Sequence, residues 1–140
     1  MKILYSERIQ ISIFLFLLIA VIVFHSFVLL GIIPFEIIWS GKLKNHSEMI
    51  SLERISLFIT ILMLMVGLLR AKIITIGNHP VKISVLLYTM SLLFSMNTIG
   101  NLLADTNFEK FVFTPITVLL ALLSWQLART KTSETKTEDN

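Results

Sequence analysis

The 140-residue chain contains no cysteine. That excludes a disulfide, a thiolate nucleophile and a cysteine metal site, and it removes the usual clue to redox compartment. Charge is also scarce, with 15% of residues Asp, Glu, Lys or Arg where an ordinary soluble domain carries about 25%. The five glycines form no phosphate-cradling loop, and no Ser/His/Asp order or nucleic-acid motif is present. No cofactor is therefore implied. What the chain has in excess is apolar surface: 55% of residues are hydrophobic and the mean hydropathy is +0.83, which is membrane composition. A net charge of +3 and a pI near 9.4 could suggest nucleic acid. The basic residues instead cluster between long apolar runs, which points to a bilayer.

Those runs are Ile9 to Ile33, Ile55 to Leu69, Ile83 to Ala104 and Phe111 to Ala128. Crossing about 30 Å of hydrocarbon takes roughly 20 residues at about 1.5 Å each, so three runs suffice almost as they stand. The second covers only about 22 Å and must draw in Glu53 and Arg54, or Arg70 and Lys72, at its ends. The first is too long for a secretory signal and lacks a small-x-small cleavage site, so it reads as a retained span. The fold class is all-α, a membrane-spanning antiparallel four-helix bundle over residues 1–130. The polar tail 131–140, TKTSETKTEDN less its first residue, reads as disordered and cytoplasmic.

Positive charge sets the orientation. Lys2, Arg8, Arg70, Lys72, Lys82, Arg129, Lys131 and Lys136 fall on the side of the termini, against Lys42, Lys44, Arg54 and Lys110 on the other. Both termini and His79 are accordingly expected in the cytoplasm, with Lys44 and Asp105 outside. Asn45 to Glu48 and Thr106 to Glu109 match capping boxes that would start the second and fourth helices. Gly77-Asn78-His79-Pro80 reads as helix stop, turn and start. Pro115, inside the fourth run, should free the carbonyl of Phe111 and kink the helix.

Lipid gives helices no hydrophobic reason to associate, so small and weakly polar side chains mark the packing faces. Glu53, Ser56, Thr60, Met63 and Gly67 form such a seam on the second helix. Ser84, Tyr88, Ser91, Ser95 and Thr98 form one on the third, and Thr114, Thr117, Ala121, Ser124 and Ala128 one on the fourth. The first helix has no clean seam, and Phe14, Phe16, Phe24 and Phe27 suggest a larger lipid-facing share.

Walking each helix from its cytoplasmic end puts His25 about 24 Å in, Glu53 about 25 Å, Asn97 about 21 Å and Pro115 about 21 Å. Asn101 lies one turn beyond Asn97 on the same flank. These residues form a polar layer in the outer third, while the inner two thirds hold almost nothing ionisable, which argues against a proton or ion relay through the membrane. Glu36 follows Gly31 and Pro34 in GIIPFEIIWSG, a stretch suited to a short interfacial helix with Trp39 at the headgroups. Its carboxylate could cap that helix, and Arg54 could pair with it. Glu36, Arg54, Glu53, His25, Asn97 and Asn101 are the candidate ligand-binding residues. Each also has a structural reading: ion-paired acids, a core histidine, and asparagines bonding between helices. No spacing of His46, Glu48, Glu53, Asp105 or Glu109 makes a metal site.

The segments GIIPFEIIWSGKL, SLERIS and NTIGNLLADTNFEKFVFTPITVLLALLSWQLA together resemble a group of small bacterial four-helix membrane proteins of uncharacterised function. The resemblance covers most of residues 30 to 128. It implies a bacterial cytoplasmic membrane and four helices, and it transfers neither activity nor site. In size and helix count the chain is also similar to DoxX-type proteins, but their glycine and lysine pattern is not matched residue by residue, so no roles are carried over.

Three functions compete. The first is a non-enzymatic integral membrane protein whose outer polar layer binds a small molecule, a lipid headgroup or a partner protein. The second is an enzyme at the outer leaflet using Glu36, Glu53 or His25 as general acid or base. The third is a small transporter subunit, for which a homo-oligomer would supply the missing width. The bilayer itself is the one partner common to all three, and nucleic acid is a partner in none.

Overall fold

The computed structural model describes residues 7–39, 45–76 and 82–130. Lys2, Lys42, Lys44, the Gly77–Pro80 turn and the 131–140 tail lie outside them. Four helices follow in order: α1 (Glu7–Leu29), α2 (His46–Arg70), α3 (Ile83–Leu102) and α4 (Thr114–Arg129). Each of α1 to α3, and α4 taken together with the turn before it, is long and apolar enough to cross a membrane.

The helix ends follow from local chemistry. Asn45 accepts a hydrogen bond from the Ser47 backbone N–H at 3.0 Å and so caps α2. Thr106 and Glu109 form a reciprocal pair: the threonine hydroxyl accepts from Glu109 N–H at 3.3 Å and donates to its carboxylate at 2.7 Å. α1 ends in a Schellman motif on Gly31, whose φ is +73°, with Gly31 N–H on Val28 C=O at 3.0 Å and Ile32 N–H on Phe27 C=O at 2.9 Å. α2 ends in the same motif, with Lys72 at φ +58° in the place glycine usually takes. The helix therefore stops at Arg70, well before the Gly77 expected to end it.

Pro115 does not sit in the middle of an α-helix. One π-turn, Glu109–Phe113, precedes it, and Thr114 N–H reaches back five residues to Glu109 C=O. Regular α4 starts only at Thr114, so the proline occupies its first turn, where a missing N–H costs little.

α1 packs chiefly on α2 and α3 chiefly on α4; α1 also touches α4, and the contact of α2 with α3 is sparse. The α2 and α4 seams face protein: Glu53, Thr60, Met63 and Gly67 are buried, as are Thr117, Ala121, Ser124 and Ala128. Two expectations are corrected. Phe14 is fully buried, because Gly67 leaves the space it fills: a Cβ there would lie 3.3 Å from the Phe14 ring and 2.8 Å from Leu15 Cδ2. On α3 the buried residues are Leu87, Met90, Ser91 and Phe94, while Ser84, Tyr88 and Ser95 are exposed. Ser95 can face outward because its hydroxyl bonds Ser91 C=O at 2.8 Å, which satisfies it without a neighbouring helix. Of the α3 serines Ser91 crosses to α4, donating to Ala121 C=O at 2.8 Å, and Thr98 crosses by donating to Thr117 Oγ1 at 2.9 Å.

At the end of the molecule that carries Glu7, Arg70 is 7% exposed. Its guanidinium bonds Leu127 C=O, Thr130 C=O and Thr130 Oγ1 at 3.2, 3.1 and 2.7 Å, and pairs with Glu7 at 2.6 Å. It thus supplies donors to carbonyls at the end of α4 while tying α1 to α2.

Candidate functional site

The second apolar cluster explains the shape of the other end. Val28, Ile38 and Met49 are buried there, packed with Phe24, Phe35, Trp39 and Phe108. Residues 33–39 therefore fold in over the helix ends instead of lying along the surface. The expected interfacial helix is a single 3-10 turn, Phe35–Ile37. Trp39 takes φ +55°, a left-handed conformation unfavourable for a bulky side chain, and turns its indole inward.

What the indole meets is Glu53. Trp39 Nε1–H donates to Glu53 Oε1 at 2.7 Å, and His25 Nδ1 lies 2.6 Å from Glu53 Oε2. The glutamate is 1% exposed. Indole nitrogen can only donate, and an ionised carboxylate with donors on both oxygens is the satisfied form of this trio. In that form His25 gives the proton on Nδ1 to Glu53 and leaves Nε2 facing away from it. No described residue bonds Nε2, and the His25 side chain keeps 15% of its surface open.

That surface lines a cavity of about 460 Å³ where α2 and α3 draw apart. Glu53, Trp39 and His25 stand on one side; Asn97, Asn101 and Gly100 of α3 stand opposite, with Glu109 and Thr117 also on the wall. Asn101 Nδ2–H reaches Thr117 Oγ1 at 3.4 Å, a long bond. Asn97 is exposed and its amide has no partner among the described residues. Further along α2, α3 and α4 the wall becomes apolar, with Met63, Leu93 and Leu120.

Four of the six sequence candidates, His25, Glu53, Asn97 and Asn101, thus surround one cavity. Glu36 and Arg54 do not. Both are exposed, and no ion pair or hydrogen bond joins them. Burying Ile38 turns Glu36 outward, and a helix that aims Glu53 inward carries Arg54 about 100° round to its outer side. The acid held in an apolar setting is Glu53. Sequence reading missed the role of Trp39, for which its position at the headgroups was the wrong signal, and it weighed Glu109 as a helix cap and a metal ligand but not as part of this wall. Pro115, assigned to the same level, does not line the cavity. Among the described residues no three His, Asp or Glu side chains are grouped to hold a metal ion.

Compared with known proteins, the chain matches no family model, and no curated protein or solved structure resembles it significantly. The site must be read from its own chemistry.

Proposed function

We propose that this is a multi-pass integral membrane protein of a bacterial inner membrane, an antiparallel four-helix bundle with cytoplasmic termini. It binds a membrane-dissolved amphiphile through its polar head, near the outer leaflet. One observation carries the reading: a buried, doubly hydrogen-bonded carboxylate holds His25 at the wall of a cavity whose opposite wall offers an unpartnered Asn97 amide. Polar groups without partners are costly at membrane depth, and a bound head group would satisfy them.

The cavity's dimensions suit such an occupant. Its volume of about 460 Å³ lies within the roughly 300–1,000 Å³ of small-molecule sites. Met63 lies on the wall about 15 Å deeper than Glu53 along α2, so a polar end leads into an apolar one. Ile59 and Met96 line the cavity and are also exposed, giving it a mouth toward lipid between α2 and α3.

Native mass spectrometry of the detergent-extracted protein tests the reading. A Cβ at Gly100 would meet nothing within 4 Å, so Gly100→Leu fills the cavity without disturbing the fold. The wild type should carry a bound amphiphile that this variant loses. Identical spectra, with no adduct in either, would refute the proposal.

A second reading has its own observation. A histidine oriented by a carboxylate, with its other nitrogen open to a cavity, is the arrangement general-base catalysis uses. Under that reading the same experiment would find the adduct converted on incubation, and His25→Ala would preserve it unconverted.

A further inference from the structure

One hydroxyl breaks a rule that the rest of the chain follows. Past the first turn of each helix, serines and threonines give their hydroxyls to backbone carbonyls, mostly those three or four residues back on the same helix. Ser56 does not. It lies partly buried on the cavity wall and bonds no described residue. Asn97, on the opposite wall, is likewise without a partner among the described residues. Measured along their helices, Ser56 stands about 21 Å from Arg70 at the end of α2, and Asn97 about 21 Å from Ile83 at the start of α3. Two neutral polar groups therefore stand at one level on the two walls, where α2 and α3 draw apart.

That level is inside the hydrocarbon. With Arg70 and Ile83 at one surface of a core about 30 Å thick, it lies roughly 9 Å below the other surface. A head group that reaches it leaves the water, and for a charged head this step costs far more than for an uncharged hydroxyl or carbonyl. Both side chains waiting there are neutral. Glu53, one turn away on α2, already has its oxygens bonded to Trp39 and His25. A serine hydroxyl and an asparagine amide can each donate and accept, so they match a head that also does both.

We propose that the cavity binds an amphiphile with an uncharged, hydroxyl-bearing head of the glycerol monoether or monoester class, held between Ser56 and Asn97. This rests on the amphiphile-binding reading and adds the chemical class of the head group. Hydroxyls on neighbouring carbons offer one group to each wall, and the alkyl chain would lie along Met63 and Leu120.

Three probes with the same chain separate the possibilities: the dodecyl monoether of glycerol, dodecylammonium and dodecyl phosphate, titrated into phosphatidylcholine nanodiscs holding the full-length protein. Trp39 lines the cavity, so its emission in a Trp125→Phe background reports occupancy. The Gly100→Leu protein, its cavity filled, measures simple partitioning into lipid. Above that background the monoether should bind at least about tenfold more tightly than either charged probe. Ser56→Ala removes a hydroxyl that bonds no described residue, and Asn97→Leu removes an exposed amide, so both variants should keep the fold. Each should weaken monoether binding about three- to tenfold, the worth of one hydrogen bond. A charged probe binding as tightly as the monoether, or an unchanged monoether affinity in either variant, would overturn the head-group assignment and leave the cavity reading standing. Titrations indistinguishable from those of Gly100→Leu for all three probes would remove both.

Discussion

Glu53 is the residue on which the cavity end of the molecule is organised. An ionised carboxylate away from water is tolerable only when its oxygens are bonded, and here one indole and one imidazole do that. Trp39 accepts a left-handed backbone to make its bond, a distortion that costs on the order of 1–3 kcal/mol for a non-glycine residue. The bond and the packing of the ring against Val28, Ile38 and Met49 together offset that cost. Trp39→Phe keeps the ring and removes the N–H, and should lower stability by about 1.5–3 kcal/mol, the usual worth of a hydrogen bond to a charged group. Trp125, half exposed and edge to face with Tyr88, provides the control: Trp125→Phe should stay within about 0.5 kcal/mol of wild type. Thermal denaturation in detergent compares them, and equal losses would mean that the indole N–H contributes nothing.

Whole elements were more legible in the sequence than the directions of their side chains. Run lengths locate the helices because hydrocarbon thickness fixes how many apolar residues are needed, and the seams on α2 and α4 face protein as small residues should. On α3 the same rule fails, because serine in a helix can satisfy itself on its own carbonyl and so no longer reports which way it faces. Phe14 misleads for the opposite reason: an aromatic ring belongs inside when the facing helix offers a glycine. Of the site, the level of the polar residues could be read from helical rise, whereas the link between Trp39 and Glu53 depends on how residues 33–39 fold back, which no periodicity encodes. The α2 seam yields a direct test. Gly67→Leu drives a side chain into Leu15 and Phe14 and should cost about 1–3 kcal/mol, whereas Leu at the exposed Val118 should be close to neutral. Equal melting temperatures would mean that α1 and α2 do not meet as tightly as these contacts require.

For the molecule as a whole, the proposed orientation makes opposite ends chemically distinct. The Arg70 end would face the cytoplasm and the cavity end the outside. Because the chain lacks cysteine, single cysteines at positions 79 and 105 can be labelled with a membrane-impermeant maleimide. Labelling in intact cells is expected at 105 and not at 79. The reverse pattern would turn the protein over and send the cavity to the cytoplasmic leaflet.

The hydrogen bonds also divide along the chain in a way that bears on how it is made. Glu53 finds both its donors on α1 and in the segment leading to α2. Thr98 and Asn101 find Thr117, and Ser91 finds Ala121, all between α3 and α4. The hydrogen bonds of Glu53, Ser91, Thr98 and Asn101 therefore need no partner from the other half of the chain. Arg70 is the exception, since its carbonyl partners Leu127 and Thr130 lie at the far end of α4. The two helix pairs would thus form independently and be latched together once α4 has been made, joined at the Arg70 end and left apart where α2 and α3 frame the cavity.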